Sequence, residues 1–202
     1  MADDTPTRTL FATHFMTLDG VVENPSWSAP FWNDEIAAFK QEETDRTDAL
    51  LLGRVTYEQF ADAWPTSPDP GAAFFNPVKK YVVSTTRTED IWENATFIGD
   101  DVRETISNLK EDGGGDLAVH GSISLTKWLL KEGLIDELRR LVYPVVQGSG
   151  RRLFDDVPQA AFVLERSDTT SNGVLALVYR PKNERRSAES NEESSGTDSV
   201  RR

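Results

Sequence analysis

Hydrophobic and polar positions along this chain switch between a two-residue and a helical period, and the switching sets an expected order of elements. Arg8 to Met16 reads as a strand, followed by a long loop through Asp19-Gly20 to Pro30. Asp34 to Thr44 carries Ile36, Phe39 and Lys40 at helical spacing, and Ala49–Leu52 is a short buried strand. A helix from Val55 to Trp64 closes at Pro65, and residues 65–77, with four of the ten prolines, form a loop or a short helical excursion. Lys80–Ser84 and Ala95–Ile98 read as strands, and Val102–Glu111 as a helix stopped by Gly113-Gly114-Gly115. Leu117–His120 is another short apolar strand, leading into a helix that Ser122 caps and that runs to Lys131. Three longer strands, near Glu137–Val146, Phe162–Ser167 and Val174–Arg180, complete the pattern. Early strand–helix alternation implies parallel crossovers, and the closing strands suggest antiparallel additions. The expectation is one α/β domain over residues 1–182, with eight strands and four helices. Residues 183–202 have almost nothing to bury and are expected to form a disordered polar tail.

Composition narrows the chemistry. The chain has no cysteine, which excludes disulfides, thiolate metal sites and a thiol nucleophile. Two histidines alone make no persuasive metal site. A net charge of −12 argues against nucleic acid or an anionic membrane as a partner. Basic residues are 15 Arg against 7 Lys, and this acidic, lysine-poor balance fits a halophilic protein kept soluble by screened repulsion, the alternative being an acidic mesophilic protein. No run approaches the ~18 apolar residues of a membrane span. The start, Met1-Ala2-Asp3-Asp4, lacks a signal-like pattern, so a cytoplasmic location is expected.

Three strand ends carry candidate chemistry. Leu50-Leu51-Leu52-Gly53-Arg54-Val55-Thr56 runs from an apolar strand through glycine into a helix, where free N–H groups and the helix dipole favour an anion. Tyr81 to Arg87 ends a strand in Ser84, Thr85 and Thr86 beside Arg87, a set suited to a phosphate monoester or to a plain polar turn. Leu117 to Leu125 repeats the strand–glycine–helix junction at Gly121-Ser122. Ligands of open α/β sheets sit at the carboxyl ends of strands, and all three candidates fall there.

With these residues the chain resembles the dihydrofolate-reductase-like superfamily, in the branch related to the C-terminal reductase domain of the riboflavin biosynthesis protein RibD. The likeness spans about residues 8–181. It rests on Phe15-Met16-Thr17-Leu18-Asp19-Gly20-Val21, on Asp48 to Glu58, on His120-Gly121-Ser122 and on Tyr143 to Phe154. Riboflavin-pathway reductases lack arginine in the second position of their G-x-x-T segment. Gly53-Arg54-Val55-Thr56 therefore looks like the stand-alone dihydrofolate reductase family proteins.

The resemblance implies a three-layer α/β/α fold with a mixed eight-stranded sheet, an NADPH cofactor and a homodimer. It assigns Gly53, Arg54 and Thr56 to the phosphate junction, and Ser84, Thr85, Thr86 and Arg87 to the adenosine 2′-phosphate. Gly121, Ser122, Ile123 and Leu125 fall at the pyrophosphate and nicotinamide side. Glu35 aligns with an acidic residue that anchors the acceptor, giving it a catalytic role, although an acidic residue there also simply favours a helix N-terminus. Asp19, Trp32, Tyr57 and His120 are candidate substrate contacts. Asp19 has the alternative of stabilising its own turn, and His120 that of a packed core histidine. Gly148-Ser149-Gly150 reads as a structural turn near a subunit interface. The implied activity is hydride transfer from NADPH to a pterin- or pyrimidine-like heterocycle without a metal, the alternative being a nucleotide-binding dimer without turnover.

Overall fold

Leu50 and Leu52 pack into one hydrophobic cluster and Leu51 into another, and all three are fully buried, because their strand is covered on both faces. Burial of one such leucine stabilises the fold by ~1.5–3 kcal/mol. The structure is a computed structural model and describes residues 7–182. The expected tail at 183–202 lies outside the described residues.

β1 (Leu10–Thr17), β2 (Thr47–Gly53), β3 (Lys79–Val83), β4 (Ala95–Ile98), β5 (Asp116–His120), β6 (Glu137–Tyr143), β7 (Phe162–Thr169) and β8 (Leu175–Pro181) form one eight-stranded sheet. Its order is β4-β3-β2-β5-β1-β6-β8-β7. The first six strands run parallel, and β8 and β7 add an antiparallel hairpin beside β6. One face carries Leu10, Ala12, Leu51, Leu117 and Val119. It packs on α4 (Val102–Glu111) and α5 (Ile123–Lys131) through Ile106, Leu109, Leu125 and Leu129. The opposite face, with Phe11, Leu50, Leu52 and Ala118, is covered by α2 (Arg54–Ala63) and α3 (Ala72–Phe75). On that side α1 (Asp34–Arg46) lays Ile36 and Phe39 over Leu141, Ala176 and Val178. β7 lies at the edge, where Glu165, Arg166 and Asp168 discourage pairing with another strand. Among the described residues no helix is long and apolar enough to cross a membrane.

The expected parallel crossovers are found, with shifts of a few residues at element ends. Of the three closing strands, however, only β7 and β8 are antiparallel additions, because α5 returns β6 to lie parallel to β1. There are five α-helices among the described residues, because Ala72–Phe75 closes one helical turn in the proline-rich stretch. Within the expected first loop, Pro25–Phe31 forms a 3-10 helix. β6 stops at Tyr143 instead of Val146, since Pro144 has no N–H to continue the ladder. The parallel strands β1, β5, β2 and β3 all end on one rim, at Thr17, His120, Gly53 and Val83.

Candidate functional site

β2 and β5 are neighbours, so the helices that follow them start side by side at this rim. Gly53 N–H donates to Ser122 Oγ at 3.0 Å, and Ser122 N–H donates to Thr56 Oγ1 at 3.1 Å. The two junctions are thus clasped in both directions. Ser122 does not cap its own helix as expected: its φ of 47° turns the hydroxyl to the neighbouring junction. Gly121 precedes it at φ 62°, a conformation that L side chains rarely adopt. The first N–H groups of α2 and α5 have no partner one turn earlier in their helices and face the rim. Leu125 lies beneath in the core, and Ile123 packs against Met16, Val22 and Leu153. Both form the floor of the junction.

Beside α2 the turn after β3 is closed by Ser84, whose Oγ accepts from Thr86 N–H at 3.3 Å and Arg87 N–H at 2.9 Å. The turn swings Arg87 toward α2, where its Nε reaches Glu58 at 2.8 Å. Arg54 Nη1 meets the same carboxylate at 2.8 Å. Together with Thr86, Thr88 and Glu89 they line a cleft of about 350 Å³. The structure therefore brings Arg54, Thr86 and Arg87 into one place. Ser84 shapes the turn, and Thr85 is exposed and absent from the lining. Glu58 was not anticipated, although its position one turn after Arg54 is the spacing of a helical ion pair. Hydrogen bonds from Arg87 and Arg54 hold its carboxyl below the usual glutamate value.

On the α1 side the substrate candidates separate. Trp32 is half-exposed and tilts toward Phe15, with ring centroids 6.4 Å apart. Lys40 Nζ lies 5.6 Å from the Phe15 ring, donates to Thr13 Oγ1 at 3.1 Å and pairs with buried Glu43. Thr13 is beside His120 in the sheet and donates to Glu43 Oε1 at 3.0 Å. Thr13, Lys40 and Glu43 are a polar group that sequence reasoning missed. His120 is buried edge-on to Phe75, and its Nε2 has no hydrogen-bond partner among the described residues. Burial, then the charge of Lys40, pushes its pKa well below the ordinary histidine value. It is neutral at physiological pH.

Three residues fall elsewhere. Glu35 faces the β7–β8 turn: its carboxylate accepts from Ser171 N–H at 2.7 Å and Ser171 Oγ at 2.6 Å. These bonds lower its pKa and brace the carboxylate against the hairpin. Asp19 accepts from Thr17 Oγ1 at 2.6 Å and from the N–H groups of Gln147 at 3.1 Å and Gly148 at 2.9 Å. Its oxygens hold the turn around Gly148 and leave little for a substrate. Tyr57 is fully buried, and its hydroxyl accepts from Ile91 and Trp92 N–H groups, both at 3.1 Å. It belongs to the core.

The fold agrees with what comparison with known proteins finds. The chain is 31% identical to the uncharacterized protein YyaP of Bacillus subtilis over 170 residues, 81% of this chain and 90% of that protein. Its fold matches a pyrimidine reductase-like protein from Corynebacterium diphtheriae with a TM-score of 0.64 at 14% identity, covering 88% and 93% of the two chains. It also matches dihydrofolate reductase from Enterococcus faecalis, solved with NADP(H), with a TM-score of 0.56 at 18% identity over 87% and 97%. Residues 8–176 match the RibD C-terminal domain, and with that match the protein belongs to this family of reductase-type domains.

Proposed function

We propose that the protein is an NADPH-dependent reductase that passes a hydride to a C=N or C=O bond of a small pterin- or pyrimidine-like heterocycle. The observation that carries this reading is the clasped pair of helix N-termini at adjacent strand ends, with Arg54 and Arg87 beside them. The residues fit such a cofactor. Gly53 and Thr56 would border its pyrophosphate together with Gly121 and Ser122, while Arg54, in one cleft with Arg87, would face the 2′-phosphate. Thr86 and Arg87 would meet the 2′-phosphate on the turn that Ser84 closes. When bound, the dihydronicotinamide supplies the hydride. Trp32 and Phe15 offer an aromatic wall for the acceptor, with the Lys40 ammonium beside the Phe15 ring. Glu35 and Asp19 are engaged in turns, and this reading draws the proton from water.

That same lack of a free acid favours a second reading, a nucleotide-binding protein without turnover. Titration with NADPH and NADH in molar potassium chloride, followed by cofactor fluorescence, is the first test. Binding of neither removes the cofactor reading. NADPH binding followed by oxidation with a dihydropterin or a ribosylamino-pyrimidine supports the reductase, and binding without oxidation by either class supports the second reading.

A homodimer belongs to the same proposal. Leu141 and Tyr143 serve the protomer's own core, while Val146 is exposed and available to a partner. Sedimentation at the monomer mass across micromolar concentrations would remove the dimer.

A further inference from the structure

The cleft assigned to the 2′-phosphate is not a basic pocket. Its two cations, Arg54 and Arg87, are matched by two carboxylates in the same lining, Glu58 and Glu89. Glu58 gives one oxygen to each arginine, Oε2 to Arg54 Nη1 and Oε1 to Arg87 Nε, both at 2.8 Å. That is the place a phosphate monoester would take between two guanidinium groups, since its oxygens would accept the same donors. Glu89 lines the cleft but joins neither pair. The bridge is built by two independent parts of the chain. Helical i,i+4 spacing sets Glu58 against Arg54, and the Ser84 turn delivers Arg87. The three side chains are 30–42% exposed, so the pairs are screened and exchange readily with a competing anion.

We propose that Glu58 sets the cofactor preference of this protein, as a resident counter-ion of the Arg54–Arg87 pair that a 2′-phosphate must displace. The proposal rests on the reading of the cleft as an NADPH site. NADH carries a hydroxyl where NADPH carries the phosphate, so it binds with the bridge intact. Glu58 therefore holds the preference for NADPH over NADH below what the two arginines alone would give, and removal of its charge enlarges it. The conservative substitution Glu58→Gln keeps length and helix propensity but releases both arginines.

The test is calorimetric titration of the full chain, as wild type, Glu58→Gln and Glu89→Gln, with 2′,5′-ADP, 5′-AMP, NADPH and NADH. Glu58→Gln is expected to bind 2′,5′-ADP and NADPH about five- to tenfold more tightly, and 5′-AMP and NADH unchanged within about twofold. Glu89→Gln removes the same charge without freeing an arginine, so its gain is smaller. Unchanged or weaker 2′,5′-ADP binding by Glu58→Gln overturns the proposal, because the carboxylate would then serve only to orient the arginines. An equal gain in Glu89→Gln overturns it too, since the general field of the cleft would account for both. If neither wild type nor Glu58→Gln binds 2′,5′-ADP or NADPH, the cofactor reading itself fails. Wild-type binding with an unmoved Glu58→Gln sinks only the role of Glu58.

Discussion

Gly53 and Ser122, 69 residues apart in sequence, share a 3.0 Å hydrogen bond from the backbone N–H of one to the hydroxyl of the other. The bond joins the start of α2 to the start of α5, and Ser122 N–H returns a bond to Thr56 Oγ1. Two phosphate-type junctions are therefore held in fixed relation before any ligand arrives. Ser122→Ala should lower stability by about 1 kcal/mol through loss of that bond. It should also weaken NADPH, whose phosphates would span both junctions. Ser122→Gly separates causes, because glycine relieves the positive φ but also lacks the hydroxyl. Denaturant unfolding and cofactor titration should show both variants weakened in cofactor binding. A Ser122→Gly protein with full affinity would show that the Gly53–Ser122 bond is irrelevant to the site.

Arg54→Ala removes a guanidinium at the first position of α2 and should weaken NADPH by about 1–3 kcal/mol. Arg87→Ala should act on NADPH more than on NADH, because its position in the Ser84 turn suits the 2′-phosphate. Fluorescence titration of both variants with both cofactors measures the split. Equal affinity of wild type and both variants would place the cofactor elsewhere.

Glu35 provides a sharper contrast with the family's acidic anchor. Its carboxylate is tied to Ser171 in the hairpin, and those bonds lower its pKa. Glu35→Gln should therefore leave turnover of any acceptor near wild type while increasing amide exchange at Ser171. A general acid would lose about a hundredfold or more in rate. A loss of that size would restore Glu35 to catalysis.

The Gln147-Gly148 turn should be acid-sensitive in a narrow window. Asp19 has its pKa lowered from 3.8 to about 2, chiefly by the Thr17 hydroxyl and then by the Gln147 N–H. A depressed carboxylate pKa means the folded form binds its proton later than the unfolded form. The contribution is therefore complete above the unfolded value and is lost as pH falls through about 2. Amide exchange at Gln147 and Gly148 should stay slow at pH 4–5, on an intrinsic-rate-corrected scale, and speed up toward pH 2. In Asp19→Asn that step should vanish. Persistence of the step would assign it to another carboxylate.

Much of this architecture is legible in the sequence where local pattern and tertiary packing agree. Ala95–Ile98 and Val102–Glu111 have the bounds their apolar spacing predicts, and Ala49–Leu52 is a central strand because its residues are apolar on both faces. The 3-10 helix at Pro25–Phe31 is hidden, since Pro25 and Pro30 within seven residues read equally as loop. Long-range partners are hidden as well. Glu35 meets Ser171 across 136 residues and Arg87 meets Glu58 across 29, and neither spacing has a local signature. The candidate phosphate junctions are legible because they lie within single strand-to-helix turns. The acceptor side draws on separate elements, so its sequence reading placed Tyr57 at a ligand when the fold gives it to the core.

Lys80 commits a charged group to the interior. It is fully buried, its Nζ donates to the carbonyls of Asn76 at 2.5 Å, Val78 at 2.8 Å and Glu93 at 3.1 Å, and it lies 4.0 Å from the Trp92 ring. Burial pushes its pKa from 10.5 down to about 8. Between those values the unfolded chain binds more protons than the folded one, so stability should rise with pH across that window. Lys80→Met abolishes the slope and leaves three buried carbonyls without their donor, costing about 1–3 kcal/mol near neutral pH. Urea unfolding of both proteins at pH 7, 8.5 and 10 measures both effects at once. Parallel pH profiles would show that the amine titrates alike folded and unfolded. A Lys80→Met protein as stable as wild type at pH 7 would show that the carbonyls find other partners.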